Sequence, residues 1–233
     1  NALRMNPVPA DVRELMFKVK KAQGTDIARS FCGLNDHRNL KLSVEYAKKA
    51  GMISQATLSI TNSPVHTVEY YLGVVDHLVE YGTDEICLKD MAGVGRPTFL
   101  AKLVAEIKKK YPHLKIQYHG HSGPGFSTAS MLEVARAGVD YIDVAVEPLS
   151  WGKVHPDVIT IQAMLKDAGF NAVRVPVTWY PHMEAKFKFT RSRKSQWSPS
   201  KDDIGTRIQA AWMKRVHEVV DYVIGQGMYC ILN

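Results

Sequence analysis

The sequence predicts an α/β protein of the (β/α)8 barrel class. Three observations predict it: short β-rich segments alternate with amphipathic helical segments along the chain, eight β-rich segments can be counted, and five helical segments are followed closely by glycine. The first six intervals between β-rich segments are roughly 25 to 31 residues, which suits βαβ units with parallel strands. A doubly wound open sheet is the alternative, although no G-x-G-x-x-G follows the first predicted strand.

The elements follow one another in a regular β-then-α order. The predicted strands are 2–5, 26–32, 55–61, 85–91, 115–121, 141–146, 172–178 and 228–233. The predicted helices are 10–22, 39–50, 67–81, 99–111, 127–137, 158–168 and 208–226, where apolar residues recur at helical spacing. The sequence ends on a strand without an eighth helix, so we expect self-association through an uncovered flank of the barrel.

Length, charge and cysteine content limit the classes of function. A chain of 233 residues suits a single domain, 1–233. Three dispersed cysteines without C-x-x-C spacing favour a reducing compartment, and neither a signal sequence nor a membrane span is visible, so we expect a cytoplasmic protein. The net charge of +7 is concentrated in places such as residues 186–197, which favours a solvated basic loop over a nucleic-acid site.

A long insertion follows the seventh predicted strand. It runs from Tyr180 to about Asp203, at the end of the barrel where active sites lie. Its carboxylates Glu184, Asp202 and Asp203 could serve as general acid and base, although carboxylates in a charged loop are usually only solvated.

The stretch "IQYHGHSGPG" (116–125) contains an H-x-H pair on a predicted strand. Side chains alternate along a strand, so His119 and His121 point to the same side and form a two-ligand unit for Zn²⁺ or a similar divalent ion. The alternative is a pair of hydrogen-bonded histidines at a polar barrel mouth. On the neighbouring strand, Lys89 and Asp90 are predicted either as site residues or as a solvated lysine and a capping aspartate.

Several stretches of the first 169 residues carry a family resemblance. They are LRMNP, RSFCGLNDHRNL, YAKKAG, SPVHTVEYY, ICLKDMAG, YHGHSGPG and ARAGVDYIDVAVEPLSWG. In this order they resemble the biotin-dependent carboxyltransferases, the family of pyruvate carboxylase and the oxaloacetate decarboxylase alpha subunit. KDMAG together with H-x-H is the most specific motif of the resemblance. The resemblance implies a barrel enzyme that acts on a small keto acid.

The same resemblance implies roles for four residues. Lys89 would be carbamylated and would hold the metal together with His119 and His121, while Arg4 would bind the keto-acid substrate. Arg4 and Lys89 are therefore the predicted catalytic residues. Cys32 departs from the family, because many members have Asp there. The opening strand with the fourth metal ligand is not found, and no biotin-accepting lysine occurs in a Met-Lys-Met-like context, so we expect that this chain does not carry biotin.

From about residue 169 the sequence resembles a second family. GFNAVRVPVTWYPHM and WMKRVHEVVDYVIGQGMYCILN resemble the second and third βα units of glycoside hydrolase family 5 barrels. Six strands from residues 1–169 and two from residues 170–233 make eight, which indicates a chimeric barrel, either engineered or recombined. In such a barrel Val175 would stand where the metal-binding Asp would be, with Arg174 before it.

Three functions follow from these predictions. The first is a chimeric scaffold without efficient native catalysis that retains a partial site for a divalent metal at His119, His121 and Lys89. The second is a metal-dependent decarboxylase or carboxyltransferase acting on oxaloacetate or pyruvate. The third is a weak carbohydrate binder.

Overall fold

The computed structural model describes residues 8–169, 172–175, 210–225, 227 and 229–232. Within them the strands are β1 (Ile27–Phe31), β2 (Ile53–Ser59), β3 (Glu85–Asp90), β4 (Lys115–Gly120), β5 (Tyr141–Ile142), β6 (Ala172–Val175) and β7 (Tyr229–Leu232). The helices are α1 (Ala10–Ala22), α2 (Arg38–Lys49), α3 (Val68–Glu80), α4 (Pro97–Lys110), α5 (Ser127–Arg136), α6 (Val158–Asp167) and α7 (Ala210–Gly225). All seven predicted helices are confirmed. The strand predicted at 2–5 and the insertion at 180–203 lie outside the described residues.

The strands are parallel and follow chain order. β1 to β5 form one sheet in the order β1-β2-β3-β4-β5, and β6 pairs with β7. β5 lies beside β6, and α6 packs against α7. Within each sheet the strands follow chain order, as they do in a barrel wall, whereas the strand order of the doubly wound alternative reverses at a switch point.

The apolar core lies between the sheet and the helices. Alternate strand residues face outward into it, among them Ala56, Leu58, Ile86, Leu88 and Ile116, all of which are fully buried. Leu100, Leu103, Val104 and Ile107 bury one face of α4 in the same cluster. Each of the larger aliphatic side chains contributes about 1.5–3 kcal/mol by leaving water. The helical face and the strand face therefore hold the sheet and its outer helices together.

The opposite face of the sheet is polar. Gln55 on β2 donates from Nε2 to the Glu85 carboxylate and to Oε1 of Gln117, each at 2.8 Å. Arg29 on β1 donates to Oε1 of Gln55 at 2.5 Å, and the Gln117 amide donates to Asp143 just after β5. These hydrogen bonds satisfy polar groups that would be costly to bury alone. The network crosses the polar face of the sheet and supports the side chains at the carboxyl ends of the strands.

The turn after β3 presses against the end of β4. Asp90 is fully buried, and its carboxylate accepts hydrogen bonds from the backbone N–H groups of Val94 at 2.9 Å and Gly95 at 2.8 Å. Gly93 has a φ of +69°, and a Cβ there would lie 2.5 Å from the backbone oxygen of His121. Asp90 therefore closes the turn that precedes α4, whose N-cap is Arg96, so the helix-capping role predicted for Asp90 is wrong.

Candidate metal centre

The two histidines of the H-x-H pair meet at the carboxyl end of β4. His119 lies in register with Lys89 of β3, and His121 follows the last residue of the strand. Their Nε2 atoms are 3.2 Å apart. The two rings therefore lie on one side, as the strand alternation predicts.

The other ring nitrogens show which form each imidazole takes. Nδ1 of His119 is 2.6 Å from Oδ2 of Asp143, and Nδ1 of His121 is 2.7 Å from the backbone oxygen of Lys153. A carboxylate and a carbonyl oxygen only accept, so both Nδ1 atoms carry the proton and donate. In the neutral rings both Nε2 atoms then present lone pairs to each other, and either a bound cation or a proton on one ring would satisfy this arrangement. Hydrogen bonds from Nδ1 are the usual support of metal-binding histidines, so these residues fit a divalent metal.

Asp143 is kept ionised by its neighbours. Burial alone would raise the pKa of this carboxyl, but the hydrogen bond from His119 and the positive charge of Arg29 hold its pKa well below the usual range. Arg29 Nη1 is 3.0 Å from Oδ2 of Asp143 and 3.4 Å from Nδ1 of His119. Burial lowers the pKa of His119, which favours the neutral ring that a metal requires.

A third histidine, His155, joins the pair. Its ring lies edge-on to His119 with centroids 4.3 Å apart and lies 4.6 Å from the ring of His121. The potential ligand nitrogens of the three residues lie within 4.8 Å of one another. Burial, followed by the positive charge of His119, lowers the pKa of His155 to about 4. The sequence interpretation missed His155, because a single histidine in a loop has no spacing that marks it.

Of the two predicted catalytic residues, Lys89 lies in the described part of the chain and Arg4 does not. Lys89 is partly buried at the end of β3, where its Nζ lies 4.5 Å from the centroid of the Phe31 ring. Burial lowers its pKa, which increases the neutral amine that carbamylation needs. Its role as a metal ligand stays a prediction. Arg4 lies outside the described residues, and Arg174 and Val175 lie on β6 with their backbones paired to β7.

Comparison with known families supports two successive resemblances. Residues 36–149 match the HMGL-like family model, and residues 132–233 match the model of cellulase, glycosyl hydrolase family 5. The chain resembles two families in succession. The two resemblances predicted from the sequence are therefore confirmed, and the matches overlap over residues 132–149.

Curated relatives match about two thirds of the chain. A pyruvate carboxylase subunit from Methanocaldococcus jannaschii is 36% identical over 163 residues, covering 70% of this chain and 29% of the relative. The methylmalonyl-CoA carboxyltransferase 5S subunit of Propionibacterium freudenreichii is 36% identical over 157 residues, covering 66% and 31%. The chain thus spans less than a third of the length of these relatives.

Solved structures confirm the fold. The carboxyl transferase domain of Rhizobium etli pyruvate carboxylase has a TM-score of 0.67 and 22% identity, and the match covers 95% of this chain and 32% of that one. A structure of the same domain with pyruvate shares this fold.

Among the described residues, none of the helices combines the length and the apolar character that a membrane span requires.

Proposed function

We propose that this protein binds a divalent metal, Zn²⁺ or a similar ion, at His119 and His121 and acts on a small 2-oxo acid by decarboxylation or carboxyl transfer. The observation that carries the proposal is the pair of Nε2 atoms 3.2 Å apart, each on a ring whose Nδ1 donates to an acceptor-only group. The names of the relatives, a pyruvate carboxylase and a carboxyltransferase, support this class of reaction.

The charges around the pair suit an anionic substrate. Arg29 and Lys89 place positive charge near His119, and the charge of Asp143 is balanced by Arg29 at 3.0 Å. A bound divalent metal would supply Lewis-acid polarisation of the keto oxygen. When a 2-oxo acid such as oxaloacetate loses CO₂, the electron pair of the broken C–C bond passes into an enolate. The nearby cationic side chains stabilise that negative charge.

The residues below the pair fix its geometry. Asp143 orients the His119 ring through a hydrogen bond of 2.6 Å, and Gln117 and Arg29 hold Asp143 from two further strands. Because all three supports stand on strands or directly after one, the ring cannot turn without breaking the network. The carboxyltransferase resemblance implies that Arg4 binds the substrate, and the proposal includes this role. Arg4 lies outside the described residues.

A chimeric scaffold without efficient catalysis is the second candidate. The succession of two family matches favours it, since the cellulase match covers residues 132–233. In this case the chain would keep the metal site of the carboxyltransferase-like part but would lack the other residues that catalysis requires. The cellulase resemblance also leaves weak carbohydrate binding as a lesser proposal.

Metal content and oxaloacetate decarboxylation test the proposal together. Wild type should bind about one metal ion per chain and release pyruvate from oxaloacetate faster than the same concentration of free metal. The double variant His119→Ala/His121→Ala should lose both properties, while His113→Ala, at an exposed position, should keep them. Bound metal without decarboxylation would favour the scaffold. Equal metal content in the wild type and the double variant would contradict the site.

A further inference from the structure

We propose that a cavity between the loops after β2 and β3 binds a small organic phosphate. The cavity has a volume of about 630 Å³, which is within the range of sites for small ligands. Its walls come from the segments 60–69 and 94–102, which include the first turns of α3 and α4. Among the described residues that line it, none belongs to the candidate metal centre, so the inference is independent of the proposed function.

Positive charge predominates in the cavity wall. Among its described lining residues, Arg96 and Lys102 stand against one carboxylate, that of Glu69. This carboxylate is already engaged, because its own backbone N–H and the Thr67 hydroxyl donate to it and keep its pKa below the usual value. Arg96 is exposed, and within the described part of the chain its guanidinium has no ion-pair partner. An anion that enters the cavity would find this guanidinium available.

The start of α4 adds backbone donors to the same wall. Pro97 lies in the first turn of this helix, the side chain of its N-cap residue Arg96 makes no capping hydrogen bond, and the first turn has no acidic residue. The N–H groups of a first turn have no partner within the helix, and they attract anions. Thr98 and Phe99 both line the cavity. A phosphate beside Arg96 could therefore accept hydrogen bonds from their backbone N–H groups.

His66 supplies a further donor to the cavity wall. Its Nδ1 is 2.7 Å from Oγ of Ser63, and this oxygen accepts a hydrogen bond from the N–H of Val65 at 3.2 Å. The proton of the Ser63 hydroxyl is thus free to be donated to Nδ1, and in this arrangement the neutral ring carries its proton on Nε2. Because His66 lines the cavity, its ring offers a hydrogen-bond donor to an anionic ligand.

The remaining wall is apolar and suits the carbon body of a ligand. Ile60, Val68, Val94 and Phe99 line the cavity, and the first two are buried members of the apolar core. A bare phosphate ion would leave these side chains without contact. Cationic and N–H donors favour a phosphate group, and the apolar side chains favour an organic substituent on it. The lining therefore matches a phosphate ester of a small organic group.

The cavity shares its backbone with the strand ends that carry the candidate metal centre. The N–H of Gly95, which lines the cavity, donates to the Asp90 carboxylate at 2.8 Å, and the backbone oxygen of Asp90 accepts from the N–H of His121 at 3.0 Å. On the other wall the N–H of Ile60 donates to the backbone oxygen of Lys89 at 2.9 Å. A ligand bound here would therefore stabilise the turn that supports His121.

Calorimetric titration with phenyl phosphate, inorganic phosphate and phenol tests the site. Phenyl phosphate carries both the charge and an apolar ring, whereas each of the other two probes carries only one of these features. The full chain is kept free of metal with EDTA, so that no phosphate can bind to a metal ion. The backbone amide NMR signals of Thr98 and Phe99 report whether the phosphate lies at the start of α4.

Two variants remove the proposed contacts, and a third is their matched control. Arg96→Gln and Lys102→Gln each remove one cation from the cavity wall. Lys109→Gln removes a cation from the same helix, at a position outside the cavity where the side chain is 79% exposed. All three positions are exposed, so we expect the variants to fold. The double variant His119→Ala/His121→Ala tests whether the cavity acts independently of the metal centre.

We expect phenyl phosphate to bind at least about tenfold more tightly than inorganic phosphate or phenol and to shift the Thr98 and Phe99 signals. Arg96→Gln should weaken this binding by about tenfold or more, because charge-assisted hydrogen bonds are lost. Lys102→Gln should weaken it by about threefold, since its charge acts at a solvated position. Lys109→Gln and the double histidine variant should stay within about twofold of the wild type.

Three results would overturn the inference. The first is an absence of saturable phenyl phosphate binding to the wild type. The second is an equal loss in Arg96→Gln and Lys109→Gln, which would show attraction to the overall positive charge. The third is a loss in His119→Ala/His121→Ala, which would place the phosphate at the metal centre. If Arg96→Gln does not fold, Lys102→Gln and the amide signals decide. Zinc binding and decarboxylation are measured separately, so the proposed function can fail or hold independently.

Discussion

At the scale of single residues, burial determines how the histidine cluster responds to pH. The pKa of His155 falls from 6.5 to about 4, chiefly because the charged ring would be buried. In the metal-free protein the unfolded chain therefore takes up this proton before the folded protein does. The stability that comes from the neutral ring is present above pH 6.5 and is lost as the pH falls through 4.

The first prediction follows for metal-free protein. Between pH 7 and pH 4 the wild type should lose up to about 3 kcal/mol more unfolding free energy than His155→Asn, whose side chain does not titrate. Urea unfolding at the two pH values measures the difference. The exposed residue His113 supplies the control, since His113→Asn should follow the wild type. Equal losses in the wild type and His155→Asn would contradict the prediction.

A second prediction concerns Asp143, whose side chain is 7% exposed. Asp143→Asn should lower the free energy of unfolding at pH 7 by about 3 kcal/mol, because it leaves Arg29 in the network without its ionic partner. The same substitution at Asp26, whose side chain is 75% exposed in its pair with Lys21, should cost less than about 1 kcal/mol. Denaturant unfolding of both variants tests this, and similar costs would show that burial does not distinguish the pairs.

At the scale of elements, the turn after β3 and the end of β4 must fit closely together. Gly93→Ala would add a methyl group 2.5 Å from the backbone oxygen of His121. The positive φ of this position, +69°, is also unfavourable for alanine. We expect a loss of about 2 kcal/mol or more and weaker Zn²⁺ binding, because the strand end must shift.

Gly138→Ala is the matched control for this third prediction. Gly138 has a φ of +92°, but a Cβ there would meet nothing within 4 Å, so only backbone strain of about 1–2 kcal/mol remains. Its Zn²⁺ affinity should equal that of the wild type. Thermal unfolding and zinc titration of both variants provide the comparison. Unchanged zinc binding in Gly93→Ala would mean that the turn does not position His121.

Helices followed the sequence prediction more closely than strands did. α1 has the predicted bounds, since apolar spacing and local hydrogen bonds determine a helix. β5 was predicted at 141–146, but only Tyr141–Ile142 form a ladder with β4. Beyond it, the N–H of Ala145 donates to the backbone oxygen of Pro156 instead. The apolar pattern of residues 141–146 predicts that they are buried. At Ala145, however, the backbone bonds to the segment before α6 and not to β4.

At the scale of the whole molecule, the two faces of the sheet differ in polarity and in what they contact. The outer face is apolar and joins the helices, while the inner face holds Arg29, Gln55, Glu85, Gln117 and Asp143 in one hydrogen-bonded network. A satisfied polar network inside a protein specifies one arrangement, since each partner lost leaves a buried group unpaired. The polar face of the sheet therefore supports the candidate metal centre in addition to filling space.

The sequence by itself determined the βα order, the two family resemblances and the common side of His119 and His121. Each of these depends on local periodicity or on motifs that lie within a few residues of one another. Only the tertiary structure brought His155, Arg29 and Asp143 to the pair. Arg29 and Asp143 are 114 residues apart in the chain and 3.0 Å apart in space. Contacts of this kind depend on how parallel strands align side by side and on how a loop returns to a strand end, and no short-range pattern records either.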